Sequence, residues 1–212
     1  MNTPFGTSRT VVRAARLVTC DAARATAGNP LGAIDGAALV VEGGRVAFVG
    51  SLTEIGDVDE ASTIDAALVT PGLVDAHTHA VFAGSRHEEY ALRMAGAGYE
   101  DIARSGGGIV SSMRATRLAS RDELARALRE RLARMAALGV TTVEVKSGYG
   151  LDLANERKQL EAAALAARSD DLPRIVPTYL GLHALPPEAG GDRDAFARRV
   201  AEAEVGASAG DG

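Results

Sequence analysis

The chain has very little of what builds disulfide frameworks, thiolate metal clusters or membrane spans. Its 212 residues include one cysteine, Cys20, and no tryptophan. A single cysteine excludes an intrachain disulfide and a thiolate zinc cluster, so we expect a reducing, cytoplasmic setting. No apolar run approaches the roughly 20 residues that span a bilayer. The polar start, MNTPFGTSRT, predicts that there is no signal peptide.

The chain also lacks a strong excess of charge of either sign. Its net charge is -5, and acidic and basic residues are mixed along the sequence rather than grouped in blocks. A nucleic-acid surface needs basic residues clustered on one face. We therefore predict neither a nucleic-acid nor a membrane partner, and a soluble globular protein of ordinary composition.

Residues 1 to about 68 show the pattern of strands and turns. Residues 10–20 and 62–69 are rich in apolar and β-branched residues. Residues 37–50 form two short apolar runs around Gly43-Gly44, which is typical of a two-residue hairpin loop. We predict a small β domain, or part of one, in this region.

From residue 69 the pattern changes to strands alternating with helices. Residues 68–79 form an apolar, strand-like segment, and residues 140–150 form a further strand and turn. Between them, leucines at helical spacing predict a helix over 121–138, with a capping box of Ser120 and Glu123 at its start.

The same alternation continues in the last third of the chain. Asp152 can cap a helix over about 153–168, residues 174–185 form the next apolar strand, and another helix begins near Asp192. Residues 201–212 lose the amphipathic pattern, which predicts an unstructured end or a truncation point. Strands alternating with helices imply an α/β fold with a parallel sheet.

Two of the four histidines stand one residue apart at the end of the first of these strands. His77 and His79 share one face because successive strand residues point to opposite sides. Both imidazoles can then converge on one metal ion. The alternative is two unrelated histidines near a strand end.

The same residues carry a resemblance to a known family. TPGLVDAHTH resembles the first-strand signature of the amidohydrolase superfamily, whose members are metal-dependent hydrolases. The stretch around it, residues 76–117, together with GVTTVEVKSGYGLD and PTYLGLHALPPE, resembles the imidazolonepropionase family. The resemblance runs from about residue 10 to 200 and covers only the N-terminal half of that family's length.

The resemblance implies a fold and a domain division. The fold would be a TIM barrel with a small β-sandwich-like domain at the N-terminus. Residues 1–68 would be the N-terminal part of the β-sandwich, and residues 69–212 the first part of a metal-dependent (β/α)8 barrel. A closed barrel takes about 250 residues, so the barrel here would be truncated and incomplete.

The resemblance also implies a reaction and its cofactor. The reaction would be hydrolysis of the ring C–N bond of 4-imidazolone-5-propanoate to N-formimidoyl-L-glutamate, a step of histidine degradation. His77 and His79 match two metal ligands of the family, for one divalent ion, zinc or iron. Imidazole suits both metals, so the sequence does not choose between them.

Three further residues match positions that contact the substrate in the family. Arg86 has the planar guanidinium that grips a carboxylate with two parallel hydrogen bonds. Tyr149 lies in the glycine-flanked KSGYG turn, and His183 lies near the end of the third strand. The alternatives are a solvated arginine, a tyrosine that covers the core, and a histidine satisfied by the backbone.

Other parts of the family's site have no counterpart in this chain. Its remaining histidine and aspartate ligands and its catalytic glutamate lie in its second half, so we assign no catalytic residue here and expect this chain alone to be inactive. Asp75 either orients a metal ligand or forms a structural salt bridge, and Lys146 receives no role. Two other hypotheses stay open: another amidohydrolase, such as a purine-type aminohydrolase, and a non-catalytic fragment. Whether the full-length protein is a homodimer also stays open.

Overall fold

The computed structural model describes residues 9–56, 62–96, 98 and 107–209, with side chains of the last helix described as far as Glu202. The chain divides into two compact units, Met1–Pro71 and Gly72–Gly212. It is an α/β protein, and the described residues form one sheet in each unit. No helix in these ranges is long and apolar enough to cross a membrane.

The first unit contains a four-stranded sheet. Its strands are β1 (Thr10–Val18), β2 (Ala33–Glu42), β3 (Arg45–Ser51) and β4 (Thr63–Val69), in the order β3-β2-β1-β4. β1 pairs antiparallel with β2 and parallel with β4, and β2 and β3 form the expected hairpin. Gly43 and Gly44 both have positive φ, 55° and 75°, as the tightest hairpin turns require. The described residues of this unit form one sheet only, so a second sandwich layer is not among them.

The second unit is built on three parallel strands. They are β5 (Leu73–Thr78), β6 (Val140–Lys146) and β7 (Arg174–Thr178), in that order across the sheet. The α-helices in the described part of this unit are α1 (His87–Met94), α2 (Ile109–Leu118), α3 (Arg121–Ala137), α4 (Leu153–Ala166) and α5 (Arg193–Ala209). The alternation of strand and helix is confirmed, while the sequence pattern does not predict α1 and α2.

The core of the second unit lies between its sheet and the helices α3 and α4. Leu124, Leu128 and Leu132 of α3 are fully buried against Val143 and Val145 of β6. The capping box is present: the Ser120 hydroxyl accepts the backbone N–H of Glu123, and the Glu123 carboxylate accepts the backbone N–H of Ser120. The leucines at helical spacing in the sequence therefore form the face of α3 that packs on the sheet.

The third strand is shorter than the sequence predicts. It ends at Thr178 rather than continuing to residue 185, because β6 offers no pairing partner beyond Lys146. The backbone N–H groups that follow the strand form hydrogen bonds outside the sheet. Leu180 donates its N–H to the Ser147 hydroxyl, and His183 donates its N–H to the Leu180 carbonyl. His183 therefore lies in a turn after the strand.

The prediction of an unstructured end is wrong as far as residue 209. α5 continues to Ala209, beginning where the Asp192 side chain accepts the N–H of Ala195. Alanine and glutamate are strong helix formers, so residues 201–209 form a helix without an amphipathic pattern. Residues 210–212 of that prediction lie outside the described residues.

Candidate functional site

The two histidines of the first strand stand where β5 ends. His77 is the fifth residue of the strand and is exposed, while His79 follows the last strand residue and is half-buried. Their ring centroids lie 6.1 Å apart with the planes at 70°. The strand end is tied to its neighbour because the Thr78 hydroxyl donates to the Glu144 carbonyl at 2.5 Å.

The hydrogen bond of His79 defines which ring nitrogen is free. Nδ1 lies 2.9 Å from the carbonyl oxygen of Ser147, which only accepts hydrogen bonds. The neutral ring therefore carries its proton on Nδ1 and leaves a lone pair on Nε2. Metal-binding histidines usually donate the N–H of one ring nitrogen to a carbonyl or carboxylate and bind the ion through the lone pair of the other nitrogen.

The electrostatic surroundings of His79 favour its neutral form. Burial lowers the pKa of His79 first, and the nearby His183 lowers it further, against a smaller opposing effect of the Ser147 carbonyl. A histidine must be neutral to bind a metal ion. The surroundings thus suit a ligand rather than a permanent cation.

Tyr149 is presented by the turn that follows β6. Its ring centroid lies 5.4 Å from that of His79 and 6.1 Å from that of Phe82. The turn folds tightly, with Gly148 at φ 113° and Leu151 at φ 54°, values that disfavour ordinary side chains. The tyrosine therefore reaches the histidines from a backbone conformation that needs external support.

His183 completes the group from the turn after β7. Its ring centroid is 4.2 Å from that of His79 and 5.8 Å from that of Tyr149. Burial lowers the pKa of His183, while Glu156 has a smaller raising effect and His77 a lowering one. The structure thus brings together four of the five predicted site residues, which come from three separate strand ends. We call His77, His79, Tyr149 and His183 the histidine–tyrosine cluster.

Arg86, the fifth predicted residue, is bound elsewhere. It precedes α1, and its Nε lies 2.7 Å from a carboxylate oxygen of Glu89. The other oxygen of Glu89 accepts the N–H of Gly108 at 3.0 Å. The role of Arg86 in carboxylate binding stays a prediction.

Two acidic residues near the strand ends have structural partners. Asp75 accepts the backbone N–H of His77 at 3.3 Å, a contact with the backbone rather than with the ring. Glu144 forms an ion pair with Lys146 and accepts the Thr178 hydroxyl at 2.7 Å. Within the described ranges, no group of three histidine, cysteine or acidic side chains is arranged to hold a metal ion.

One residue that supports the Tyr149 turn is not predicted from the sequence. Glu156 of α4 is fully buried, and its carboxylate accepts the N–H groups of Gly148, Gly150 and Leu151 at 2.6–2.7 Å. The sequence offers one weak signal, a glutamate one turn after the capping Asp152. The sequence of the glycine-rich turn does not indicate that its N–H groups bind a carboxylate, because that contact depends on the fold.

Comparisons with known proteins give the chain its relatives. No family model matches it. It is 49% identical over 187 residues to an imidazolonepropionase from Cupriavidus necator, a match covering 87% of this chain and 45% of the relative. An imidazolonepropionase from Brucella suis is 48% identical over 196 residues, covering 91% of this chain and 47% of the relative.

These relatives are all named imidazolonepropionase, the family that the sequence motifs resemble. The chain spans about half the length of the curated relatives it matches. Among solved structures, an ochratoxinase from A. niger has a TM-score of 0.48 and 19% identity, covering 81% of this chain and 31% of that one.

Proposed function

We propose that this chain supplies the N-terminal half of an imidazolonepropionase, which opens the ring of 4-imidazolone-5-propanoate to N-formimidoyl-L-glutamate in histidine degradation. The observation that carries the proposal is the histidine–tyrosine cluster: its ring centroids lie 4.2–6.1 Å apart in the pairs that contact one another. Its members stand in the sequence blocks that resemble the family. The identity of 49% to a relative named imidazolonepropionase supports the same activity.

The fold proposed for the complete protein is a TIM barrel with a small β-sandwich domain. Residues 1–68 would contribute to the sandwich and residues 69–212 to the first part of the barrel. The parallel order β5-β6-β7, with helices in each connection, supports the beginning of such a barrel. The cluster at the carboxyl ends of the strands lies where barrels of this type keep their active sites.

We propose that His77 and His79 hold one divalent ion, zinc or iron. The free Nε2 of His79, opposite its bond to the Ser147 carbonyl, fits this role, and imidazole is a suitable ligand for both metals. When bound, the ion would lower the pKa of a coordinated water and polarise the ring carbonyl of the substrate. The remaining ligands and the general base would come from the rest of the full-length protein.

The other predicted residues would bind the substrate. Tyr149 and His183 flank His79, so their polar atoms can orient the ring of the substrate beside the metal-binding nitrogen. Arg86 would exchange Glu89 for the propionate carboxylate. In that exchange the Glu89 carboxylate would keep the N–H of Gly108 as a partner.

The proposed setting is cytoplasmic, with a small-molecule substrate and neither nucleic acid nor membrane as partner. The near-even charge balance and the single cysteine support this setting. A monomer and a homodimer of the full-length protein are both compatible with it.

The proposal is tested by steady-state kinetics of the full-length protein that contains this chain. The substrates are 4-imidazolone-5-propanoate and, for comparison, guanine and adenine as purine-type rings. We expect turnover of the imidazolone alone, with N-formimidoyl-L-glutamate as product. Faster turnover of a purine would favour the aminohydrolase hypothesis, and no turnover of either would favour a non-catalytic role.

A further inference from the structure

Glu156 is a fully buried carboxylate that the proposed reaction does not use. Acidic side chains are almost never fully buried unless they are paired. Here the partners are three backbone N–H groups, of Gly148 at 2.6 Å, Gly150 at 2.7 Å and Leu151 at 2.6 Å. Such short hydrogen bonds to a charged acceptor are about twice as strong as neutral ones. The carboxylate therefore holds one specific turn.

That turn adopts a conformation that is unfavourable without support. Leu151 has φ 54°, a left-handed value that a leucine rarely adopts. Gly148 packs so closely on the neighbouring turn that an added Cβ would lie 2.9 Å from the Cβ of His183. Backbone strain of this kind persists only where surrounding contacts determine it, and it concentrates at functional sites.

A second side chain holds the same turn from another helix. The Nε of Arg117, on α2, donates to the carbonyl of Gly150 at 2.6 Å and lies 3.3 Å from a carboxylate oxygen of Asp152. Glu156 binds the N–H groups of the turn and Arg117 binds its carbonyl. We call Glu156 and Arg117 the turn clamp.

The turn carries two groups that define the candidate site. Tyr149 stands between the two glycines whose N–H groups Glu156 accepts, and its ring is 5.4 Å from that of His79. The Ser147 carbonyl, immediately before Gly148, accepts the hydrogen bond from Nδ1 of His79. The clamp thus binds Gly148 and Gly150, the residues directly next to Ser147 and Tyr149 in the chain.

We propose that the turn clamp positions the active site: Glu156 and Arg117 hold the Ser147 carbonyl on His79 and the phenol of Tyr149 beside it. This inference rests on the proposed function for its consequence in catalysis. Its structural part, the control of the His79 tautomer, does not depend on which reaction the site performs.

Glu156→Gln tests the clamp with little change in volume. The amide oxygen can still accept the N–H groups of Gly150 and Leu151, but its NH2 group then faces the N–H of Gly148, so one hydrogen bond is replaced by repulsion. Glu161→Gln is the matched control, because Glu161 lies on the exposed face of the same helix.

The first measurement is the protonation of the His79 ring nitrogens, by two-dimensional 15N–1H NMR of selectively labelled full-length protein without metal. We expect a single Nδ1–H tautomer in the wild type and in Glu161→Gln. In Glu156→Gln we expect a mixture of tautomers and an upfield shift of the Gly148 amide proton. An unchanged tautomer in folded Glu156→Gln overturns the inference, whatever the enzyme turns over.

The second measurement is the kinetics of the metal-loaded variants with 4-imidazolone-5-propanoate. A misplacement of about 1 Å can cost roughly 100-fold in rate, so we expect kcat per bound metal to fall about 10- to 100-fold in Glu156→Gln. A merely structural role would lower the melting temperature while kcat per metal and KM stay unchanged, and that result contradicts the inference.

A folding failure of Glu156→Gln leaves Arg117→Lys as the decisive variant. It removes the guanidinium Nε–H that donates to the Gly150 carbonyl, and Arg114→Lys on the exposed face of α2 is its control. The same loss of a single His79 tautomer is expected in Arg117→Lys only. A wild-type spectrum in Arg117→Lys as well as in Arg114→Lys would overturn the inference. If the wild-type protein shows no turnover but Arg117→Lys loses the single His79 tautomer, only the proposed function is contradicted.

Discussion

At the scale of single residues, the two ring nitrogens of His79 face different surroundings. Nδ1 is held by the Ser147 carbonyl, and the rings of Tyr149 and His183 lie 5.4 and 4.2 Å from the His79 ring, measured between centroids. The neighbouring His77 is exposed and close enough to share a ligand with it. The chemistry of this end of the sheet therefore depends on a few atoms whose orientation the backbone determines.

Replacing His79 with alanine is expected to remove the metal ion from the full-length protein. The variant deletes the lone pair on Nε2, and ligand loss at a metal site lowers affinity strongly. Metal content per chain is measured by elemental analysis after dialysis, with His87→Ala as control, because His87 is exposed and contacts Ser85. Equal metal content in His79→Ala and wild type would show that the ion is bound elsewhere.

Replacing Arg86 with lysine is expected to raise KM for 4-imidazolone-5-propanoate. A point charge replaces the planar fork that binds a carboxylate twice, and a hydrogen bond to a charged group contributes about 1.5–3 kcal/mol, hence roughly 10- to 150-fold. Arg93→Lys on the same helix is the control, since Arg93 is exposed. Similar KM values in the two variants would show that Arg86 does not bind the substrate and only pairs with Glu89.

Some of the site is readable from the sequence, and some requires the fold. The spacing of His77 and His79 follows from the two-residue period of a strand, so a sequence alone predicts that they lie close together. The contact of Tyr149 and His183 with them depends on two turns, and the motif blocks indicated these residues only by resemblance. Glu156 was not predicted because its burial depends on a turn that folds back over the start of α4.

At the scale of elements, α3 shows where local sequence rules suffice. The predicted helix over 121–138 is confirmed as Arg121–Ala137, with the expected capping box. Cap chemistry and apolar spacing act within one segment, so they are readable without neighbours. The length of β7 depends instead on where β6 stops, and the sequence of β7 does not contain that information.

Removing the cap of α3 is expected to destabilise the protein measurably. Ser120→Ala deletes the acceptor for the N–H of Glu123, which typically costs about 1 kcal/mol of unfolding free energy. Urea unfolding at neutral pH measures the difference, with Ser120→Thr as the control that keeps the hydroxyl. A loss as large in the threonine variant would show that the cap is not the cause.

The same cap predicts a dependence on pH. Hydrogen bonds from the Ser120 backbone N–H and hydroxyl hold the pKa of Glu123 below its ordinary value. The lowered pKa means that this contribution is complete above the ordinary pKa of glutamate and disappears as the pH falls through the lowered value. The difference in unfolding free energy between wild type and Glu123→Gln should therefore narrow in acid, and a constant difference would contradict the role of the carboxylate.

Truncating the central leucine of α3 tests the packing of that helix on its sheet. Leu128 is fully buried, so Leu128→Ala is expected to cost about 2–5 kcal/mol through lost burial and the cavity left behind. Leu118→Ala is the control, because Leu118 is 88% exposed and its truncation should change stability by less than about 0.5 kcal/mol. Chemical unfolding of both variants measures the contrast, and equal losses would contradict the assigned core.

At the scale of the whole molecule, the sheet of the second unit has open edges. β5 and β7 each pair with β6 alone among the described residues. Unpaired strand edges invite association, and apolar side chains such as Leu73 and Val74 are more than half exposed. Unpaired edges and exposed apolar side chains are what we expect of three strands that belong to a larger sheet.

Residues 1–212 expressed alone are therefore expected to self-associate, unfold without a sharp transition and show no ring-opening activity. Two histidines alone fall short of the three protein ligands usual at a catalytic zinc site. Size-exclusion chromatography, thermal unfolding and a product assay measure the three properties. A monomer with a cooperative transition and turnover would show that these residues suffice for the enzyme.

The most direct test of the central claim is anomalous X-ray diffraction from crystals of the metal-loaded, full-length protein. Data at the zinc and iron absorption edges locate the ion and identify it. We predict one peak within about 2.0–2.1 Å of a ring nitrogen of both His77 and His79, with Nδ1 of His79 still bound to the Ser147 carbonyl. A peak away from this pair, or a His79 bound to the ion through Nδ1, would contradict the account.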